Sequence, residues 1–186
     1  MKLSLSFRPP FATHHSPLAP FCETPMPLIK NGHYIDDAYT RIEGEAPVPD
    51  DGDVLVDAVR LKDDTAVLRQ RQGKLGVLLM NTVDAEELAP HLSKLALVAL
   101  EFPQFHDGRA FSQARVLRHT LHFKGEIRAT GKPMADQAGH LVRCGFDCFE
   151  TNARQPLDVW QRALDAVRGV YQRDYAGLGD VVRKDP

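Results

Sequence analysis

The chain has 186 residues, 43% of them hydrophobic, which is enough for one domain with its own core, and one domain is the expectation. Lys and Arg number 23 against 25 Asp and Glu, a formal net charge of -2 that offers no global attraction to nucleic acid or an acidic membrane surface, so any cationic site must be local. No apolar run approaches the roughly 18–20 residues that span a bilayer, and the three cysteines, Cys22, Cys144 and Cys148, lack a framework spacing, which points to a reducing compartment, the cytoplasm.

Residues 1–25 are rich in Pro, Ser and His without apolar periodicity and read as a disordered extension, with Met26 an alternative start of the chain. "LSLSF" is too short for the apolar region of a signal peptide and runs into "RPP". Residues 26–52 read as a lead-in: a short strand or hairpin turning at Asn31-Gly32, then the loop "EGEAPVPDDGD". A single α/β domain is expected over 53–175, followed by a flexible tail over 176–186.

Within that domain, short apolar runs alternate with amphipathic stretches. The runs are "VLVDAV", "LGVLLM", "LALVALEF", "GEIRAT" and "FDCFET"; the stretches between and after them are 62–72, 84–94, 109–122, 133–144 and 157–171. Leu157, Trp160, Leu164, Val167 and Tyr171 mark the last as a helix by their steps of three and four. Asp84 with Glu87 predicts a capping box, while Pro90 should kink or shorten its helix. Near-continuous apolar strands between helices predict an α/β fold with a mainly parallel sheet, an open doubly wound arrangement being preferred over a partial barrel of the same units.

In such a sheet the loops after the strand carboxyl ends line one rim, where ligands bind. Those loops supply Glu101, Asp107, Arg109, Ser112, Gln113, Arg128, Thr130, Lys132, Asp136, Gln137 and Glu150. Arg109 stands in a helical first turn, where the helix dipole disfavours a cation, so it calls for an acidic partner or an anion held with Ser112. A salt bridge to Glu101 or Asp136 is the plainer alternative. Arg115, Arg118 and Arg128 extend this to a cationic wall, with Gln113 and Gln137 as further polar contacts; Arg128 pairing with Asp136 or Glu150 is the alternative there. Asp107 and Asp136 are the candidates for acid-base chemistry.

Cys144 is expected to close a helix capped by Gly145, and Cys148 to lie in a strand on the same face as Phe146. Both read as small buried residues, since their spacing fits neither a redox nor a zinc pair, with a reactive Cys144 as the minority alternative. His119 and His122 share a helix face without a third ligand, so no metal site is expected. No nucleotide, flavin or iron-sulfur motif stands in the chain, and no cofactor is expected.

"FPQFHDGRAFSQARVLR", "GEIRATG", "DQ" and "RCGFDCFE", in this order and spacing, resemble a bacterial family of unknown function associated with assimilatory sulfite reduction, whose members are commonly labelled oxidoreductases. The resemblance covers roughly residues 50–150. Ala110, where the family has Gly, and Cys148, where it has a small residue, depart from the pattern. The resemblance implies sulfate assimilation, with the genes of sulfite reductase and phosphoadenylyl-sulfate reductase as usual neighbours. It leads to two expected functions. One is an accessory or anion-binding component of the sulfite reductase system, its partner that enzyme or a small anion such as sulfite, sulfate or phosphate, engaged through Arg109, Ser112, Arg115, Arg128 and Gln137. The other is an enzyme of the pathway using Asp107 or Asp136.

Overall fold

The computed structural model describes residues 27–151 and 154–166. The extension over 1–25, the start at Met26, the tail over 176–186 and the end of the last expected helix fall outside the described residues.

The lead-in becomes part of the sheet. Strand β1 (Leu28–Lys30) turns through Asn31 and Gly32, at φ 52° and 72°, into β2 (His33–Ile35), so the hairpin forms at the dipeptide whose two positive φ values it requires. Strand β1 also pairs antiparallel with β8 (Cys148–Glu150), placing Ile29 against Phe149. Strand β3 (Tyr39–Arg41) runs parallel to β4 (Asp53–Asp57). Strands β5 (Leu75–Leu79), β6 (Leu95–Phe102) and β7 (Glu126–Gly131) complete an eight-stranded sheet of order β2-β1-β8-β7-β6-β5-β4-β3, parallel from β8 to β3.

That order has a geometric consequence. Strands β2 and β3 are the two edges, about 34 Å apart in a flat eight-stranded sheet. Yet only residues 36–38 join them, and four Cα steps reach about 14 Å. The sheet therefore curls until its edges nearly meet.

The helices are shorter than the apolar spacing suggests. Residues 62–72 lie partly in α1 (Ala58–Asp63) and α2 (Thr65–Gln70), separated at Asp64, and the first begins inside the expected strand "VLVDAV". Between 84 and 94 there is no α-helix but two 3₁₀ turns, Ala85–Leu88 and Leu92–Lys94, either side of Pro90. Asp84 does cap the first, accepting from Glu86 N at 3.1 Å, but the Glu87 side chain leaves the box to pair with Lys62. Helix α3 (Arg109–Arg115) passes into one π turn, Val116–Thr120, and α4 (Ala138–Cys144) follows a 3₁₀ turn. Helix α5 (Leu157–Asp165) seats Trp160 on Phe149 with centroids 5.2 Å apart, its Nε1 donating to Thr151 Oγ1 at 2.8 Å.

The two sheet faces are unlike. One packs Val54, Val77, Leu100, Ile127 and Phe149 into a core that also takes residues from α1 to α5. The other, among the described residues, buries Leu55, Leu78, Leu97 and Ala99 beside Tyr39 and takes none from a helix. A bulge at Ala96 keeps this sorting: Leu75 pairs Leu95 but Gly76 pairs Leu97, so Leu95 and Leu97 serve opposite faces. A Cβ on Gly76 would lie 3.1 Å from both Leu55 and Leu97, so the inside of the curl is filled at that level.

Candidate functional site

At the carboxyl ends of β5, β6 and β7, side-chain hydrogen bonds tie three loops into one surface. Asn81, after β5, donates to Asp107 Oδ2 at 2.7 Å. Asp107, after β6, accepts both edges of Arg109: Nε to Oδ1 at 3.0 Å and Nη2 to Oδ2 at 2.6 Å. Those bonds hold the Asp107 carboxyl well below the usual range, so it is ionised and no proton donor near neutrality. Gln137, after β7, donates to Phe105 O at 3.0 Å and accepts from Met134 N.

Arg109 thus satisfies its charge on Asp107, two residues back in its own loop, not on Glu101 or Asp136. Its side chain remains 57% exposed. Ser112, Arg115 and Asp136 are exposed. Gln113 turns inward instead: its Nε2 donates to Met80 O and Val83 O at 2.9 and 2.7 Å, fixing the end of β5 to α3, while its Oε1 is buried without a partner. Around these polar groups stand Met80, Phe105 and Met134, all large apolar side chains left exposed. Glu150 closes the rim by accepting from Gly131 N at 2.5 Å.

Arg118 does not belong to a cationic wall. The π turn carries it into the interior, where it is 3% exposed. Its Nε donates to Gly145 O, its Nη1 to Phe123 O and Gly125 O, and its Nη2 to Asp147 Oδ2 at 2.6 Å. It fastens the entries to β7 and β8. Gly145, the α4 cap at φ 106°, could not carry a side chain beneath it, because a Cβ there would lie 2.5 Å from Arg118 Cγ.

Arg128 is not beside Arg109 either. Ile127 and Ala129 face the helices, so Arg128 faces the inside of the curl, its side chain 5% exposed. There its Nη1 donates to Asp37 Oδ1 and Oδ2 at 3.0 and 2.9 Å, and its Nε and Nη2 to Glu126 Oε1 at 3.2 and 3.1 Å. Asp136 and Glu150 play no part in these bonds. Glu126 Oε2 accepts from Lys30 at 2.6 Å, and Tyr39 lays its ring 5.5 Å from the guanidinium. Burial opposes the charges of Lys30 and Arg128, but their acidic neighbours outweigh it and raise both pKa values. Burial also pushes Tyr39 and Cys148 up to about 12 each.

Cys148 pairs with both Arg128 and Lys30 in the strand register, on this face, whereas Phe146 joins the helix-side core; the two do not share a face. Cys144 is buried with its Sγ 3.7 Å from His140 Nε2. His119 and His122 are exposed, and among the described residues no group of His, Cys, Asp and Glu has the arrangement of a metal site.

Above Arg128 lies a cleft of about 350 Å³, lined among others by Lys30, Asp36, Tyr39, Asp53, Lys74 and Glu126. It opens at the amino ends of the parallel strands, opposite the rim that the strand-and-helix pattern singles out. Glu126 and Arg128, two apart in one apolar strand, signal a shared face in the sequence; Asp37, 91 residues from Arg128, gives no local sign.

A family model described as bacterial protein of unknown function (DUF934) matches residues 76–179, more than half of the chain. No curated protein and no solved structure matches.

Proposed function

We propose, for a chain that belongs to this bacterial family of unknown function, a role as an accessory protein of sulfite reduction that docks on a partner protein through its carboxyl rim. The observation that carries the docking is the exposure of Met80, Phe105 and Met134 on three loops that Asn81, Asp107 and Gln137 hold together. Exposed apolar side chains on a fixed frame, with the exposed Arg109 on the same frame, have the make-up of a protein interface: an apolar centre and a polar, Arg-bearing margin. The resemblance of the chain's motifs to a family linked to sulfite reduction supplies the context and makes sulfite reductase the partner to test.

The same reading takes the curled sheet as a partial barrel in place of the doubly wound arrangement. The unreversed strand order and the single helix-covered face support it. In a barrel-like sheet the carboxyl rim is also where loops are free to vary around a fixed frame. The physiological test is growth of a deletion strain with sulfate, sulfite or cysteine as the sole sulfur source. Failure on the first two with growth on cysteine is the expected outcome, and unimpaired growth on all three overturns the reading.

A further inference from the structure

The cleft at the amino ends of the strands lies at the opposite end of the sheet from the docking rim, and the two surfaces share no residue. Its floor is the buried guanidinium of Arg128, held on two edges by two carboxylates of different standing. Glu126 is rooted in the same strand, two residues away, and is also fixed by Lys30. Asp37 comes from the irregular link 36–38 that joins the two sheet edges, and its side chain is 30% exposed. Arg128 Nη1 donates to both Asp37 oxygens, a charge-assisted contact for which a ligand anion competes, and Asp37 Oδ1 also accepts from Tyr39 N at 3.0 Å.

We propose that this cleft is a binding site for a small carboxylate or oxyanion whose place on Arg128 Nη1 is held in the free protein by Asp37: the ligand enters the open cleft, displaces the Asp37 carboxylate from Arg128, and the link 36–38 moves aside. The charges on the lining support the exchange. Lys30, Lys74 and Arg128 stand against Asp36, Asp53 and Glu126, three of each sign, so Asp37 is the one carboxylate in excess. Removing it leaves balanced walls and an unpaired guanidinium edge, and one ligand anion replaces like with like. Lys74, with Asp53 only at 4.0 Å and its side chain 68% exposed, is a further cation available at the mouth. The cleft volume exceeds what a single acetate or sulfite fills, so a longer carboxylate also fits.

The test is a titration with acetate and, separately, sulfite, each against chloride at matched ionic strength, followed by amide NMR of the full chain. Tyr39 and Ala96, which line the cleft, should shift in the wild type. Asp37→Ala, which removes the competing carboxylate, should bind at least tenfold more tightly and gain thermal stability as the anion fills the vacated place. Asp37→Asn keeps an acceptor for Tyr39 N and should also bind more tightly, serving if the Ala variant does not fold. Adding Arg128→Lys to either should abolish the gain. The proposal is overturned if neither Asp37 variant binds more tightly than wild type, or if the tightening survives Arg128→Lys. Response to acetate and not sulfite identifies a carboxylate ligand; the reverse identifies an inorganic oxyanion.

Discussion

Arg128→Met removes the cation that pins the link 36–38 across the curl while keeping an unbranched stem in the strand. It strands Asp37 and takes one of two partners from Glu126, which still has Lys30. Breaking a buried ion pair by removing one partner costs about 3–5 kcal/mol. Asp37 is 30% exposed and can regain water, so the lower end applies, about 3 kcal/mol. At about 2–4 °C per kcal/mol for a chain of this size, the melting temperature should fall by about 6–12 °C. Urea denaturation of wild type, Arg128→Met, Asp37→Ala and the double variant measures this directly. The two sites should couple, so that the double variant is less destabilised than the sum of the singles. A loss below about 1 kcal/mol for Arg128→Met, the range of a surface ion pair, would refute the claim that Arg128 pins the link 36–38 inside the curl.

Arg118→Met should cost about 3 kcal/mol or more in the same assay, because it leaves the partly buried Asp147 without its cation and deprives the Gly145, Phe123 and Gly125 carbonyls of a donor; Arg109→Ala, which removes an exposed pair, should lower the urea midpoint only slightly at neutral pH. Asp107, whose folded pKa is lowered by Arg109, contributes stability that is present above its unfolded value of about 3.9 and lost as pH falls below it. Asp107→Asn should therefore be less stable than wild type at pH 7, with the gap narrowing at pH 3; Asp147, raised by burial, acts with the opposite sign and is common to both proteins. Cys148, pushed up to about 12 by burial, should resist iodoacetamide at pH 8 in the folded protein and react only as fast as the protein unfolds, which mass spectrometry of the tryptic peptide can follow.

Local chemistry in this chain is legible where neighbours in sequence decide it. Asn31-Gly32 makes its turn, Asp84 caps its segment, Pro90 stops a helix, and Gly145 takes the left-handed cap after Cys144. The alternation of apolar runs and amphipathic stretches likewise announces a mostly parallel sheet with helices. Arginine partners are not legible in the same way, because a guanidinium reaches whatever the tertiary fold brings to it. Arg109 finds the carboxylate two residues back, Arg118 is carried by a π turn that no propensity foretells to the carbonyls at the entries of β7 and β8, and Arg128 finds Asp37 only because the sheet curls. That curl rests on a three-residue link between edge strands, which becomes informative only once the strand order is known. The lead-in shows the same limit. Residues 28–41 supply both edges of the sheet and the carboxylate on Arg128, though nothing local separates them from an ornamental hairpin.

The most direct measurement of the docking role is calorimetric titration of purified sulfite reductase with this protein and with a Phe105→Ser, Met134→Ser variant whose melting temperature matches wild type. Both positions are exposed, so the fold should tolerate the changes. Saturable binding by wild type, weakened at least tenfold in the variant, is the predicted result. Equal binding by both proteins, or no binding by either, would contradict it.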